Sequence, residues 1–163
     1  MLDESRPPIP SREEYGALER EGHDELLDWS TVSGWLTDAR NYWLGTARAD
    51  GRPHVSAIWG VWNGDVLYFT TSPETVTARI LAKNPKALVH LESGSEVAIV
   101  EGLAEQLRPY EVPSAIVDEY ETKYDWRIEA DDTGMPYYAL RPRLILAWKL
   151  PDVRATARRW RFE

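Results

Sequence analysis

The sequence predicts a mainly β (α+β) fold, an antiparallel barrel of about six strands with roughly three or four peripheral helices. Three observations predict it. From residue 42 onward, strand-like runs follow one another with no strand–helix–strand alternation, which argues against a parallel, doubly wound sheet. Asp50-Gly51 and Asn63-Gly64 stand between apolar runs, and such pairs supply the positive φ of tight hairpin turns. Finally, a strand set this small can close its own edges as a barrel.

The elements follow in order. Residues 1–10 are polar and proline-rich and read as a flexible arm. Ser11 to Glu21 reads as a helix, with Ser11 as cap and Glu14 three residues later. This arm and helix, 1–29, precede a main domain over 30–163. Thr31 to Ala39 forms a short helix with Val32, Trp35, Leu36 and Ala39 on one face. Tyr42 to Arg48, Val55 to Trp62 and Val66 to Thr71 read as a three-strand antiparallel meander. Ser72-Pro73-Glu74 then opens a helix, with Ser72 capping and Pro73 in the first turn. It runs to Lys83, where Asn84-Pro85 stops it. Leu88 to Glu92 and Val97 to Leu107 are two more strands. Pro113 to Tyr124 is a helix with Ile116, Val117 and Tyr120 inward. A polar loop over 127–136 leads to a long strand, Tyr137 to Leu150, and then to a basic tail.

Composition removes several function classes. The formal charge of −8 opposes broad nucleic-acid binding, which needs a basic face. No apolar run approaches the ~20 residues of a membrane span, and the N-terminus lacks the apolar core of a signal peptide. With no cysteine, disulfides and thiolate metal sites are excluded, and a cytoplasmic protein is expected. Eight tryptophans serve as core and interface aromatics, or line a pocket for a flat ring.

The common catalytic motifs are missing. There is no Gly-x-Ser-x-Gly, no His-Glu-x-x-His and no glycine-rich phosphate loop. His23, His54 and His90 lack ligand spacing, so no metal is expected. No carboxylate pair stands out for acid–base work. What remains is positional. Thr70, Thr71, Ser72, Thr75 and Thr77 gather hydroxyls around a helix start that also carries Arg79 and Lys83. That is a candidate phosphate cradle. Spacing alone favours the plainer role, in which Ser72 caps and the threonines complete a sheet edge.

Here the sequence resembles a known family. The carrying runs are Tyr42-Trp43-Leu44-Gly45-Thr46-Ala47-Arg48 and Asp50-Gly51-Arg52-Pro53-His54-Val55-Ser56. They continue as Trp59-Gly60-Val61-Trp62, Leu67-Tyr68-Phe69-Thr70-Thr71, Ala78 to Pro85, and Val89-His90-Leu91-Glu92-Ser93. Leu140-Arg141-Pro142-Arg143 and Arg159-Trp160-Arg161-Phe162 match its ending. In order and spacing they are similar to the pyridoxamine 5'-phosphate oxidase-like split-barrel family, which includes flavin- and deazaflavin-dependent reductases.

The resemblance implies a homodimer with cofactor at the subunit interface. It implies that the strand at Ser56, Ala57, Ile58 and Trp59 lies along a flavin ring. Thr70 and Thr71 match positions near the ribityl-phosphate, with Thr77 and Arg79 on the following helix. Arg159, Trp160 and Arg161 match the C-terminal segment that closes the partner's site. One departure is plain: relatives carry a basic pair where this chain has Val76 and Thr77. A hydroxyl brings no charge, and charge-assisted hydrogen bonds are about twice as strong as neutral ones. Six arginines between Arg141 and Arg161 are either a solvated charge run or a compensating anion site.

The expected function is therefore an oxidoreductase with flavin mononucleotide (FMN) as cofactor and an unassigned small-molecule substrate. The alternatives are a reductase using the deazaflavin coenzyme F-420, or a non-catalytic flavin-binding or sensing module. No catalytic side chain is assigned; Tyr138, His54 and solvent all stand as proton sources.

Overall fold

A computed structural model describes residues 9–10, 27–131 and 135–162. The expected helix at Ser11–Glu21 and most of the arm fall outside these residues. The exception is β1 (Ile9–Pro10), which pairs with β9 (Arg158–Arg161) instead of standing free.

Helix α1 (Trp29–Asp38) starts two residues earlier than expected because Asp28 caps it: the Asp28 carboxylate accepts from the Thr31 N–H at 2.7 Å. Val32 and Leu36 are fully buried, and Trp35 and Ala39 pack against the same core. The strands are β2 (Tyr42–Ala47), β3 (Pro53–Ile58), β4 (Gly60–Asn63), β5 (Val66–Thr70), β6 (Lys86–Leu91), β7 (Glu96–Gln106) and β8 (Tyr137–Lys149). Helix α2 (Val76–Leu81) follows β5, α3 (Ser114–Tyr124) lies between β7 and β8, and α4 (Val153–Thr156) precedes β9.

Together the strands make an antiparallel sheet curled into a split barrel. Its main path runs β1-β9-β8-β7-β6-β2-β3. β8 is long enough to take two neighbours along one edge: β5 at Leu140 and before, β9 from Leu144 onward. Between them β7 and β8 slip register at Glu101/Gly102. A methyl group on Gly102 would sit 2.1 Å from the Arg141 carbonyl oxygen, so only glycine fits this bend.

The alternation of burial follows the register. Tyr42, Leu44, Val89, Val100, Ile145 and Ala147 face the core. Their chain neighbours Trp43, His90, Ile99 and Leu146 lie in one cross-strand row on the opposite face and keep partial exposure. A smaller cluster of Val61, Ile116, Val117, Tyr120, Tyr124, Ile128 and Tyr137 packs beneath α3.

The expected three-strand meander is corrected. Val55 to Trp62 is not one strand: it breaks at Trp59 into β3, which pairs with β2, and β4, which pairs with β5. Gly60 makes the corner possible, because a Cβ there would lie 2.9 Å from the Tyr68 carbonyl oxygen. The corner is tied down by α3. The Tyr124 hydroxyl accepts from the Gly60 N–H at 2.8 Å, and its own proton lies within reach of the carbonyls of Arg40 (2.7 Å) and Gly60 (2.8 Å). Lys123 donates to the Gly60 carbonyl at 2.9 Å and reaches the Tyr42 hydroxyl at 3.3 Å.

The start of α2 also differs from expectation. Ser72 does not cap it. Residues 72–75 form a turn closed by Thr75 N–H to the Ser72 carbonyl at 3.0 Å. Thr75 then caps, its hydroxyl accepting from the Ala78 N–H at 3.1 Å. Proline at 73 therefore stiffens a turn, and the helix has six residues.

Removing the hydroxyl in Tyr124→Phe strands the Gly60 N–H and should cost about 1–3 kcal/mol in urea unfolding. Burial holds the Lys123 ammonium down at about 8, against its usual 10.5. Between pH 8 and 10 the unfolded chain then binds a proton that the folded chain has released, so stability rises with pH there. Above pH 10 tyrosine ionisation in the unfolded chain opposes this, because burial raises Tyr124 to about 12. Urea midpoints should thus climb from pH 8 to 10 in the wild type and lose that climb in Lys123→Met.

Candidate functional site

The β3–β4 corner, the end of β5 and the start of α2 enclose a cleft of about 730 Å³. It brings together eight residues expected at the site: Ser56, Ala57, Ile58 and Trp59 from β3 and its break, Thr70 and Thr71 from the end of β5, and Thr77 and Arg79 from α2. The volume suits a small cofactor.

β3 supplies more than side chains. Among the described residues it pairs with β2 alone and ends the main path of the sheet. A strand at a sheet edge leaves backbone N–H and C=O groups free on its outer side. Those groups are rigid, because β2 fixes the strand, and they are available to the edge of a ligand.

The hydroxyls are not all idle. Thr71 and Thr75 share a hydrogen bond at 2.9 Å, and Thr75 is committed to capping. Thr70 pairs with the Tyr120 hydroxyl at 3.2 Å, and burial raises the Tyr120 phenol above its ordinary range. Thr77 is 4% exposed and sits between two partners, the Ser56 hydroxyl at 3.1 Å and the His54 Nε2 at 3.3 Å. The position at which the resemblance implies a basic residue is therefore filled by a threonine bonded to the Ser56 hydroxyl and the His54 imidazole. Val76 lines the cleft beside it, half-buried and apolar. The charged groups of the lining are Arg79, which is exposed, and Glu74.

The C-terminal residues stand elsewhere. Arg159, Trp160 and Arg161 are not among the residues lining the cleft. They form β9, and Trp160 is 1% exposed, with its ring 5.5 Å from that of Trp29. The Trp160 indole thus fills the core of its own chain. Arg159 is also buried, at 8% exposure. Of the two proton sources named from the chain, His54 lines the cleft, whereas Tyr138 stacks on Phe69 at 5.2 Å inside the core. Lys83 follows α2 and does not line the cleft.

Sequence reasoning did not assign Tyr120, Trp126, Ile128 and Met135 to the site, and all four line the cleft. Tyr120 carried the signal of an inward helix face. The other three come from the segment after α3, where no periodicity marks which side chains turn inward.

Solved structures with this fold include an F-420 reductase, 26% identical, with 69% of this chain and 94% of that one covered and a TM-score of 0.56. Another is the conserved hypothetical protein Rv2991 from Mycobacterium tuberculosis, at 20% identity, 80% and 90% coverage and a TM-score of 0.64. A third is HutZ, the heme storage protein from Vibrio cholerae, at 18% identity, 70% and 89% coverage and a TM-score of 0.58. No curated protein matches the chain. The family model described as pyridoxamine 5'-phosphate oxidase matches residues 30–149. That span holds the barrel strands from β2 to β8 and every residue lining the cleft, and on it the chain belongs to the pyridoxamine 5'-phosphate oxidase family.

Proposed function

We propose that the chain is an oxidoreductase that binds a flavin-type cofactor, FMN, in the cleft between β3, β5 and α2. The observation that carries this reading is the union of a free, rigid strand edge at Ser56–Trp59 with a hydroxyl-rich rim and one exposed arginine. The strand edge suits the polar edge of a planar ring. Thr70, Thr71 and Arg79 suit a phosphate-bearing tail. Bound there, a flavin-type ring supplies hydride or electron transfer. The chain's part is to hold the ring, exclude water through Ile58, Ile128 and Met135, and offer His54 for proton exchange.

A second reading, the deazaflavin coenzyme F-420, has its own support. The chain is 26% identical to a solved F-420 reductase, and Val76 and Thr77 remove the pair of charges that a flavin phosphate would use. Against it stands the lining, nearly neutral apart from Arg79 and Glu74, while that coenzyme ends in an acidic tail. A binding module without turnover is the third reading; the same fold in HutZ belongs to a heme storage protein. Heat release of the bound molecule from purified protein, identified by mass spectrometry, separates the three.

The outer face of the sheet supports an assembly. Trp43, Val55, Ala57, Ile99 and Leu146 surround His90 on a largely apolar surface there, with Val55 56% exposed and Trp43 37%. Apolar patches of this kind mark association surfaces. The proposed assembly is a homodimer, in a cytoplasmic protein.

Arg79→Ala should weaken FMN binding about tenfold while leaving riboflavin, which lacks the phosphate, within about twofold. Val76→Lys, on the same rim, should tighten FMN about tenfold over riboflavin. Calorimetric titration checks both, and an unchanged FMN-to-riboflavin ratio removes the phosphate assignment. Sedimentation velocity should show a dimer that Ile99→Glu converts to monomer.

A further inference from the structure

The lining of the cleft has two chemical characters. The rim at Thr70, Thr71 and Arg79 is polar, and the proposed function gives it to the cofactor. Another part of the wall is aromatic and apolar: Trp59, Trp126, Ile128 and Met135, with Glu74 and His54 elsewhere in the lining. Two indoles in that wall keep a large part of their surface in water, Trp59 38% and Trp126 59%. Exposed indoles facing a cleft are costly in water and are the side chains that most favour a flat partner.

Trp59 is also held still. Its ring stacks on Tyr124 with centroids 4.6 Å apart and planes 4° from parallel. Tyr124 in turn is fixed by its hydrogen bonds to Gly60 and Arg40. Trp126 meets Trp59 edge-on, with centroids 6.3 Å apart and planes at 75°. It is turned there by Asp125, whose left-handed backbone (φ 55°) ends α3. A stack on Tyr124 takes one face of the Trp59 indole and leaves the rest to the cleft. A fixed aromatic surface loses little freedom when a ligand stacks on it, so more of the contact appears as affinity.

The geometry points to a substrate subsite at Trp59 and Trp126 that takes a planar, uncharged aromatic molecule. It rests on the proposed cofactor site, because the substrate meets the cofactor in the same cleft. The two indoles come from the β3–β4 corner and from the segment after α3, and neither belongs to the hydroxyl-rich rim. None of the four wall residues is charged, and the charged groups of the lining, Glu74 and Arg79, stand on α2 and the turn before it, so this part of the cleft selects for flatness.

The test compares 1,4-naphthoquinone with its saturated analogue decahydronaphthalene-1,4-dione, which keeps both oxygens and loses the flat ring. Calorimetry uses the full-length protein, with and without FMN. The flat probe should bind at least about fivefold tighter than the saturated one. Trp126→Ala should abolish that preference, and Trp126→Phe should keep most of it. FMN affinity and dimer mass should be unchanged in both variants. Equal binding of the two probes, or an intact preference in Trp126→Ala, overturns the inference. An FMN affinity that falls with the probe's shows that the indoles hold the cofactor instead, and also overturns it. A shift of Trp126→Ala to monomer makes the wall an interface and does the same. If FMN fails to bind at all, the cofactor reading falls alone, since the probe preference is read on the unloaded protein too.

Discussion

The Gly60 corner governs the site. One continuous strand from Val55 to Trp62 would carry its residues straight across the sheet and leave no cleft. Breaking it at Trp59 frees the outer edge of β3 and sends β4 away to pair with β5. The break holds because Tyr124 and Lys123, adjacent on α3, take up the backbone groups of Gly60 that a strand would otherwise have paired. Buried backbone groups must find partners, and here they find them in a phenol and an ammonium. The same tyrosine fixes Trp59, so the turn of the chain and the aromatic wall have one cause.

Much of the fold was legible. The Asn63-Gly64 turn, with φ of 55° at Gly64, and the run of strands without strand–helix–strand alternation carried the antiparallel order. The helix at Ser114–Tyr124 followed from its apolar period. Two things were hidden. The break at Trp59 was hidden because Val55 to Trp62 reads as one strand-like run in which Ser56 alone is polar, and only Gly60 hints at the close approach to Tyr68. The α2 cap was hidden because Ser72, Thr75 and the threonines around them offer competing hydroxyls. Local sequence cannot rank such caps; the turn at 72–75 does. At the C-terminus, Arg159-Trp160-Arg161 matched a family ending, yet burial of Trp160 among Trp29 and the main core depends on contacts more than a hundred residues apart.

The resemblance implies a basic pair beside the cleft, and this chain carries Val76 and Thr77 there. Thr77 is bound to Ser56 and His54 instead of presenting a cation. That exchange leaves Arg79 as the positive group of the lining and makes its balance with Glu74 nearly neutral. Affinity for an anionic tail then leans on hydroxyl donors, which are weaker but also less selective among phosphate-bearing ligands. The aromatic wall supplies a second and chemically separate source of selectivity.

The edge of β3, unpaired among the described residues, has a cost in crowded solution. Open strand edges recruit other chains into extended, fibre-like stacks. Two features blunt that hazard here. Pro53 has no N–H to offer at the start of the strand, and the chain turns away after Ile58. The sticky stretch is thereby kept to a few residues, too short a template to seed growth, while still long enough to grip one small molecule.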